Sequence, residues 1–261
     1  MTARVLAAVL AAGVAAAEDP AAIVRRSLDH VAFRTGGAEM QVRMVLENKR
    51  GEKRDRRLYV KSRAEGGLAR SWVNFLSPAD VAGTRFLLIE NKGRDDDQFL
   101  WLPALRRVRR ISGGQKNQSF MGSDFSYADL EGRDIEEASY RLKGEEAACV
   151  PSDGVRHPGK PCWVIEATPQ KGAGSPYARL ETWIRQDNGV GVRTRFYGAG
   201  GKLVKTLSVS RIETVEGKIV ITESRMEAAD KSHATTFVIE KIDFRDDIPV
   251  SDFTVQKLEQ G

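Results

Sequence analysis

The stretch whose reading decides the fold is Trp101 to Asp129, WLPALRRVRRISGGQKNQSFMGSDFSYAD. Just before and into it, alternation puts Phe99 and Trp101 on one face of a strand and Leu100 and Leu102 on the other, and Pro103 closes the strand. Arg106, Arg107, Arg109 and Arg110 then surround a single apolar residue, Val108. On a strand, Arg107 and Arg109 share one face and Arg106 and Arg110 the other, so the piece cannot be buried on both sides. It reads as an exposed edge or hairpin arm. After Gly113-Gly114, residues 119–127 (SFMGSDFSY) show neither a strand nor a helix period. Phe120, Met121, Phe125 and Tyr127 must still leave water, so this irregular segment needs a dry surface to lie on.

On either side of this stretch the period is two. Met40, Val42, Met44 and Leu46 alternate with polar residues, residues 48–52 form a turn, and 53–63 return with Leu58 and Val60 on one face. Residues 68–76 and 83–91 follow as strands, the latter carrying Phe86-Leu87-Leu88-Ile89. Asp95-Asp96-Asp97 is a solvated acidic turn, because no ligand-spaced calcium loop surrounds it. Further strands are predicted at about 135–147, 161–168, 178–187, 191–198, 202–212, 217–228 and 234–244, joined by turns such as Asp187-Asn188-Gly189 and Gly200-Gly201. Spacing near ten residues with hairpin turns throughout predicts an antiparallel meander of eleven to thirteen strands.

One helix is predicted, Pro20 to Thr35, with Ile23, Val24, Ser27, Leu28 and Val31 on one side and Arg25, Arg26 and Asp29 on the other. A sheet this long must curl. With one helix to cover its concave side, the expected architecture is mainly β, an open half-barrel of about eleven strands. A transmembrane barrel is excluded by the charges in 53–63 and 234–244 at positions that would meet lipid.

Residues 1–17 have a signal-peptide layout: Arg4, an apolar run from Val5 to Val14, and Ala15-Ala16-Ala17 before Glu18. They predict export to the periplasm and a single mature domain over 18–261, without a linker or an internal repeat. A formal charge of +5, with 36 acidic residues intermixed, is no nucleic-acid signature. In an oxidising compartment Cys149 and Cys162 are placed to close a hairpin loop as a disulfide, worth about 3 kcal/mol by loop-closure entropy. A metal site would need more ligands than the nearby His157.

No catalytic constellation is legible. His30, His157 and His233 are scattered, and neither HExxH, GxSxG nor P-loop spacing occurs. Ser123-Asp124 has no histidine near it in sequence. The reading is therefore of a protein that is not an enzyme and takes no cofactor or metal. What remains is an apolar strand face: Met40, Val42, Met44, Leu58, Val60, Phe86, Leu88, Phe99, Trp101, Leu180, Ile184, Phe196, Leu203 and Leu207. An ordinary packed core would show the same alternation. Yet a large curled sheet with one helix is hard to fill with side chains, which leaves room for a ligand.

The run W-L-P-x-x-R-R-V-R-R-I, followed by S-F-M-G-S-D-F-S-Y-x-D-L at 119–130, resembles the LolA-like outer-membrane lipoprotein-sorting proteins. The likeness continues through Phe75-Leu76-Ser77-Pro78, Gly83-Thr84 and Pro176-Tyr177-Ala178-Arg179. It implies a half-barrel with a helix and loops as lid over a hydrophobic cavity, and a monomeric periplasmic carrier of lipid or lipoprotein acyl chains. The apolar strand face then becomes the lipid-binding wall; Gly122, in a run without helix or strand period, predicts that Phe120, Met121, Phe125 and Tyr127 form a mobile flap over it. Burial of an acyl chain is worth ~0.8 kcal/mol per CH₂, so about sixteen carbons represent about 12 kcal/mol of water avoidance and need a carrier to cross water. The four arginines read either as a solvated edge that discourages aggregation or as an anionic docking surface, for lipid head groups or for an acidic patch on a membrane partner. The resemblance suggests an RND/MMPL-type transporter as that partner. A second reading of the same fold is a lipid-sensing regulator of the RseB type.

Overall fold

The structure, a computed structural model, describes residues 18–28, 37–131, 135–149 and 159–261. The expected leader 1–17, the second half of the expected N-terminal helix, and His30 and His157 lie outside the described residues. The predicted period-two segments are strands: β1 (Ala38–Asn48), β2 (Lys53–Glu65), β3 (Leu68–Ser77), β4 (Arg85–Ile89), β5 (Asp97–Leu102) and β6 (Arg107–Ile111). After the central stretch come β7 (Ala138–Cys149), β8 (Lys160–Pro169), β9 (Arg179–Arg185), β10 (Gly191–Tyr197), β11 (Leu203–Val215), β12 (Lys218–Ala228) and β13 (His233–Phe244). Among the described residues the helices are α1 (Pro20–Leu28), α2 (Tyr127–Leu130) and α3 (Val255–Gln260). The described residues thus hold thirteen strands, the upper end of the eleven to thirteen that the spacing predicts and two more than the half-barrel of about eleven.

All thirteen form one antiparallel sheet in the order β6-β5-β4-β3-β2-β1-β13-β12-β11-β10-β9-β8-β7. The order follows the chain except at two places. β1 and β13 meet in the middle, Met44 opposite Phe237. β6 and β7 occupy the two free edges, so the chain must pass from one edge to the other, and residues 112–131 and 135–137 are the described parts of that passage. They lie across one face of the sheet. Phe120 and Tyr127 pack on the inward side chains of β1–β5, and Phe125 packs with Leu180, Phe196 and Met226 of β9, β10 and β12. This sequence-imposed crossing is what fills the interior of the half-barrel. Farther along the same face, α1 sets Ile23 and Val24 against Ile165 and Ile184.

The opposite face of β2–β6 is also covered, by the C-terminal residues. Ile248, Phe253 and Leu258 are buried against Trp72 and Leu87, and Tyr59, Phe99, Trp101 and Val108 join them. Arg85 donates to the carbonyls of Leu258 and Glu259 at 2.8 and 3.0 Å, Lys61 pairs with Asp252 at 3.0 Å, and Arg63 bonds the Ile248 carbonyl. This corrects one expectation. Phe99 and Trp101 face the C-terminal segment, while Gln98 and Leu100 point into the half-barrel. The strand is apolar on both sides because both sides are covered.

Cys149 and Cys162 are bonded, with their Cα atoms 5.8 Å apart. The bond ties β7 to β8 and packs beside Trp183, Val190 and Val192. The arginine strand β6 is an edge strand, as its composition requires.

Candidate functional site

The strand registers place apolar side chains in rows across the inner face. Met40 lies opposite Val60, Val60 opposite Val73, Val73 opposite Phe86 and Phe86 opposite Leu100. A second row runs Val42, Leu58, Phe75. Phe120 enters this surface from above, its ring centroid 5.1 Å from Phe86, 5.5 Å from Tyr127 and 5.9 Å from Phe75. Edge-to-face packing of this kind adds about 0.5–1.5 kcal/mol per pair to the burial itself.

Among the described residues, two cavities border this surface. One, of about 30 Å³, lies between Val42, Leu58, Val60, Val73, Phe86, Leu88, Phe120, Leu130 and Phe237. The other, of about 130 Å³, lies between Val24, Tyr140, Ile165, Ala167 and Leu180 on one side and Asp129, Glu131 and residues 173–177 on the other. Pockets for drug-sized ligands run to roughly 300–1,000 Å³. The interior is therefore mostly filled by the protein's own segment 119–130.

Polar bonds hold that segment down. Ser126 and Asp129 form a reciprocal cap at the start of α2. The Asp129 carboxylate also accepts from the Tyr177 hydroxyl at 2.7 Å and pairs with Lys205 at 2.5 Å. Lys205 donates in addition to the Asp124 carbonyl at 2.9 Å. The Asp124 carboxylate accepts from Thr235 at 2.6 Å and meets the His233 ring, and Arg56 bonds the Met121 carbonyl. Lys205 and Asp129 are both nearly buried, at 10% and 4% side-chain exposure. An ion pair so placed is costly to desolvate and costlier to break.

Of the residues read from sequence as the lipid-binding wall, Met40, Val42, Met44, Leu58, Val60, Phe86 and Leu88 are buried together with Phe120 and Tyr127, and Met121 packs beside them. Phe125, Leu180 and Phe196 form a neighbouring cluster with Leu207, and Ile184 lies under α1. Phe99 and Trp101 stand on the other face. Ser123 does not join His233: its hydroxyl is bonded to the Phe125 backbone, 3.3 Å from both the carbonyl and the amide nitrogen, while His233 takes Asp124.

The four arginines are all exposed, but they do not form one surface. Arg109 and Arg107 lie opposite Leu100 and Leu102 on the inner side, Arg106 sits in a left-handed turn at φ 48°, and Arg110 turns to the other face. There it pairs with Asp97 at 2.6 Å, which Arg94 also reaches at 2.7 Å. Those guanidiniums, with Asn91, hold the Asp97 carboxyl down at about 2. Lys205, Thr235 and Arg56 were not singled out by sequence reasoning, and Tyr177 appeared only within the motif Pro176-Tyr177-Ala178-Arg179. Lys205 did leave a trace: it falls in phase with Leu203 and Leu207, a cation on an apolar strand face.

An open antiparallel half-barrel whose interior is occupied by a crossing segment of its own chain is the class of protein this geometry defines. A family model described as an uncharacterized protein matches residues 67–260, and the chain belongs to that family, a LolA-like one. Among solved structures, the chain is similar to a DUF1329 family protein from Desulfovibrio piger, at 29% identity and a TM-score of 0.81, over 92% of this chain and 100% of that one. It is similar to a protein from Vibrio parahaemolyticus described as an outer membrane lipoprotein-sorting protein domain, at 27% identity and a TM-score of 0.80, over 92% and 98%. A LolA superfamily protein from Nitrosomonas europaea shares the fold at 18% identity and a TM-score of 0.70, over 92% and 100%. No curated protein matches the sequence.

Proposed function

We propose that the chain is a periplasmic carrier that shields the acyl chains of a lipoprotein or another lipid inside the half-barrel, with residues 119–130 as its lid. The observation that carries this reading is how the interior is filled. One loop-built segment, rather than a second layer of regular structure, covers the apolar rows, and it is held by a few polar anchors. Withdrawal of Phe120, Tyr127 and Leu130 would join the smaller cavity to the space they vacate and expose Val42, Leu58, Val60, Phe86 and Leu88 to a ligand. The likeness to a lipoprotein-sorting domain supports the cargo class and the compartment. The family resemblance supports a membrane transporter of the RND/MMPL type as the partner for loading or unloading.

Native mass spectrometry of the protein isolated from the periplasm should reveal a co-purified lipid, and the delipidated protein should take up a fluorescent fatty acid saturably. Uptake should accelerate exchange at the amides of Phe120, Ser123 and Tyr127, whose bonds to Phe125, Phe120 and Gln118 carbonyls belong to the closed arrangement. Absence of both a co-purified lipid and saturable uptake would refute the reading.

A further inference from the structure

Antiparallel order sends every second connection to the same end of the sheet. The β1–β2, β3–β4, β5–β6, β10–β11 and β12–β13 connections share one end, where the segment 119–130 is anchored through Arg56, Thr235 and His233. Among the described residues, three large hydrophobic side chains are exposed: Leu76 at 52%, Leu105 at 55% and Val204 at 44%. All three lie at that end, on β3, on the β5–β6 connection and at the start of β11. Pro103 and Ala104 beside Leu105, and Pro78 and Ala79 beyond Leu76, are exposed as well. A folded domain has no reason to gather its exposed leucines at one rim unless something covers them there.

The same rim is basic. Arg50, Arg54, Arg106, Arg107 and Lys202 are exposed there without an ion-pair partner, and the acids among them are Asp80, which faces Arg56, Glu52, bonded to Asn48, and Asp230, bonded to Ser232. At the other end the turns mix both signs: Lys92 and Arg94 stand with Asp95 and Asp96 before β5, Glu216 with Lys218 between β11 and β12, and Arg245 with Asp246 after β13. Apolar tips flanked by unpaired arginines match the chemistry of an anionic bilayer: head-group phosphates for the guanidiniums and the acyl boundary for the leucines. We infer that this rim is a bilayer-docking surface, which sets the open end of the half-barrel against an anionic membrane. The inference rests on the carrier reading for its purpose but not for its test.

Flotation of the purified protein with vesicles tests it. The parent should float with mixed phosphatidylcholine–phosphatidylglycerol vesicles at low salt and not with phosphatidylcholine alone. The variant Arg50→Gln/Arg54→Gln/Arg106→Gln/Arg107→Gln should bind more weakly, by about fivefold for each cation removed. The variant Leu76→Ser/Leu105→Ser/Val204→Ser should also lose binding, whereas Lys92→Gln/Lys160→Gln at the far end should match the parent. These side chains are exposed, Lys160 being half-buried, and none lines either cavity, so fatty-acid uptake without vesicles should be unchanged in all three variants. Failure of the parent to float, or equal loss in the far-end variant, would overturn the docking surface while leaving uptake to judge the carrier. Intact binding in the leucine variant, with equal retention of the parent on polyglutamate, would overturn it in favour of an acidic protein partner.

Discussion

Lys205 is the residue on which closure of the interior most depends, and Lys205→Met isolates its charge while keeping most of its stem. In the parent its ammonium meets both the Asp129 carboxylate and the Asp124 carbonyl, with the pair about nine-tenths removed from water. Removing one partner of a buried pair costs about 3–5 kcal/mol, because the other charge stays buried without compensation. Asp129 keeps its bonds from Tyr177 and from Ser126, which places the expected cost at the lower end, about 3 kcal/mol. For a chain of this length that corresponds to a melting temperature lower by about 6–12 °C. The double variant Lys205→Met/Asp129→Asn removes the stranded charge and should cost less than Lys205→Met alone. Urea unfolding of parent, singles and double gives the coupling directly. A cost below about 1 kcal/mol for Lys205→Met, or a double variant at least as destabilised as the two singles summed, would show that the pair does not hold the segment down.

Two further outcomes follow from the same geometry. Asp97 has its folded pKa depressed to about 2 from an ordinary 3.8, so its contribution to stability is whole above about pH 4 and is lost as the pH falls towards 2. Asp97→Asn should therefore flatten the acid limb of a stability–pH curve in that window, and an unchanged limb would remove the pairing with Arg94 and Arg110 as its cause. Trp101→Asp should leave fatty-acid uptake intact, because the ring faces Phe253 and Leu258, and should speed exchange at the Leu258 amide; lost uptake with normal protection at α3 would reverse the assignment of faces.

The strands were legible because period-two alternation persists from Ala38 to Phe244, and the arginine edge because no burial on both faces could accommodate it. Which face of a strand points inward was not legible. Phe86-Leu87-Leu88 and Phe99-Leu100-Trp101 are apolar on both sides, and the cover on the outer side is the six-residue helix Val255–Gln260, too short to announce itself by periodicity. The anchors of segment 119–130 were hidden for a different reason. Asp124 and Lys205 are 81 positions apart, and Asp124 and Thr235 111 apart; only the sheet order brings them together. The lysine on the apolar face of β11 was a visible irregularity whose partner was not.

The seam between β1 and β13 governs how the protein can be made. Ala38 pairs with Phe244, and the ladder continues to Asn48 with His233, so the first strand synthesised finds its second neighbour in the last. At a synthesis rate of about 5–20 residues per second, β1 waits roughly 10–40 s with one row of backbone donors and acceptors unpaired, and β2 to β6 are already able to fold against its other side. Half-finished chains therefore present a long, apolar-faced ribbon with an open middle rather than an open margin. Such a ribbon is an invitation to a second nascent copy, and exchange of the β7–β13 half between two chains would satisfy every pair of the ladder. Dimers formed by this route should appear when the protein is refolded at high concentration and be absent when it is refolded dilute.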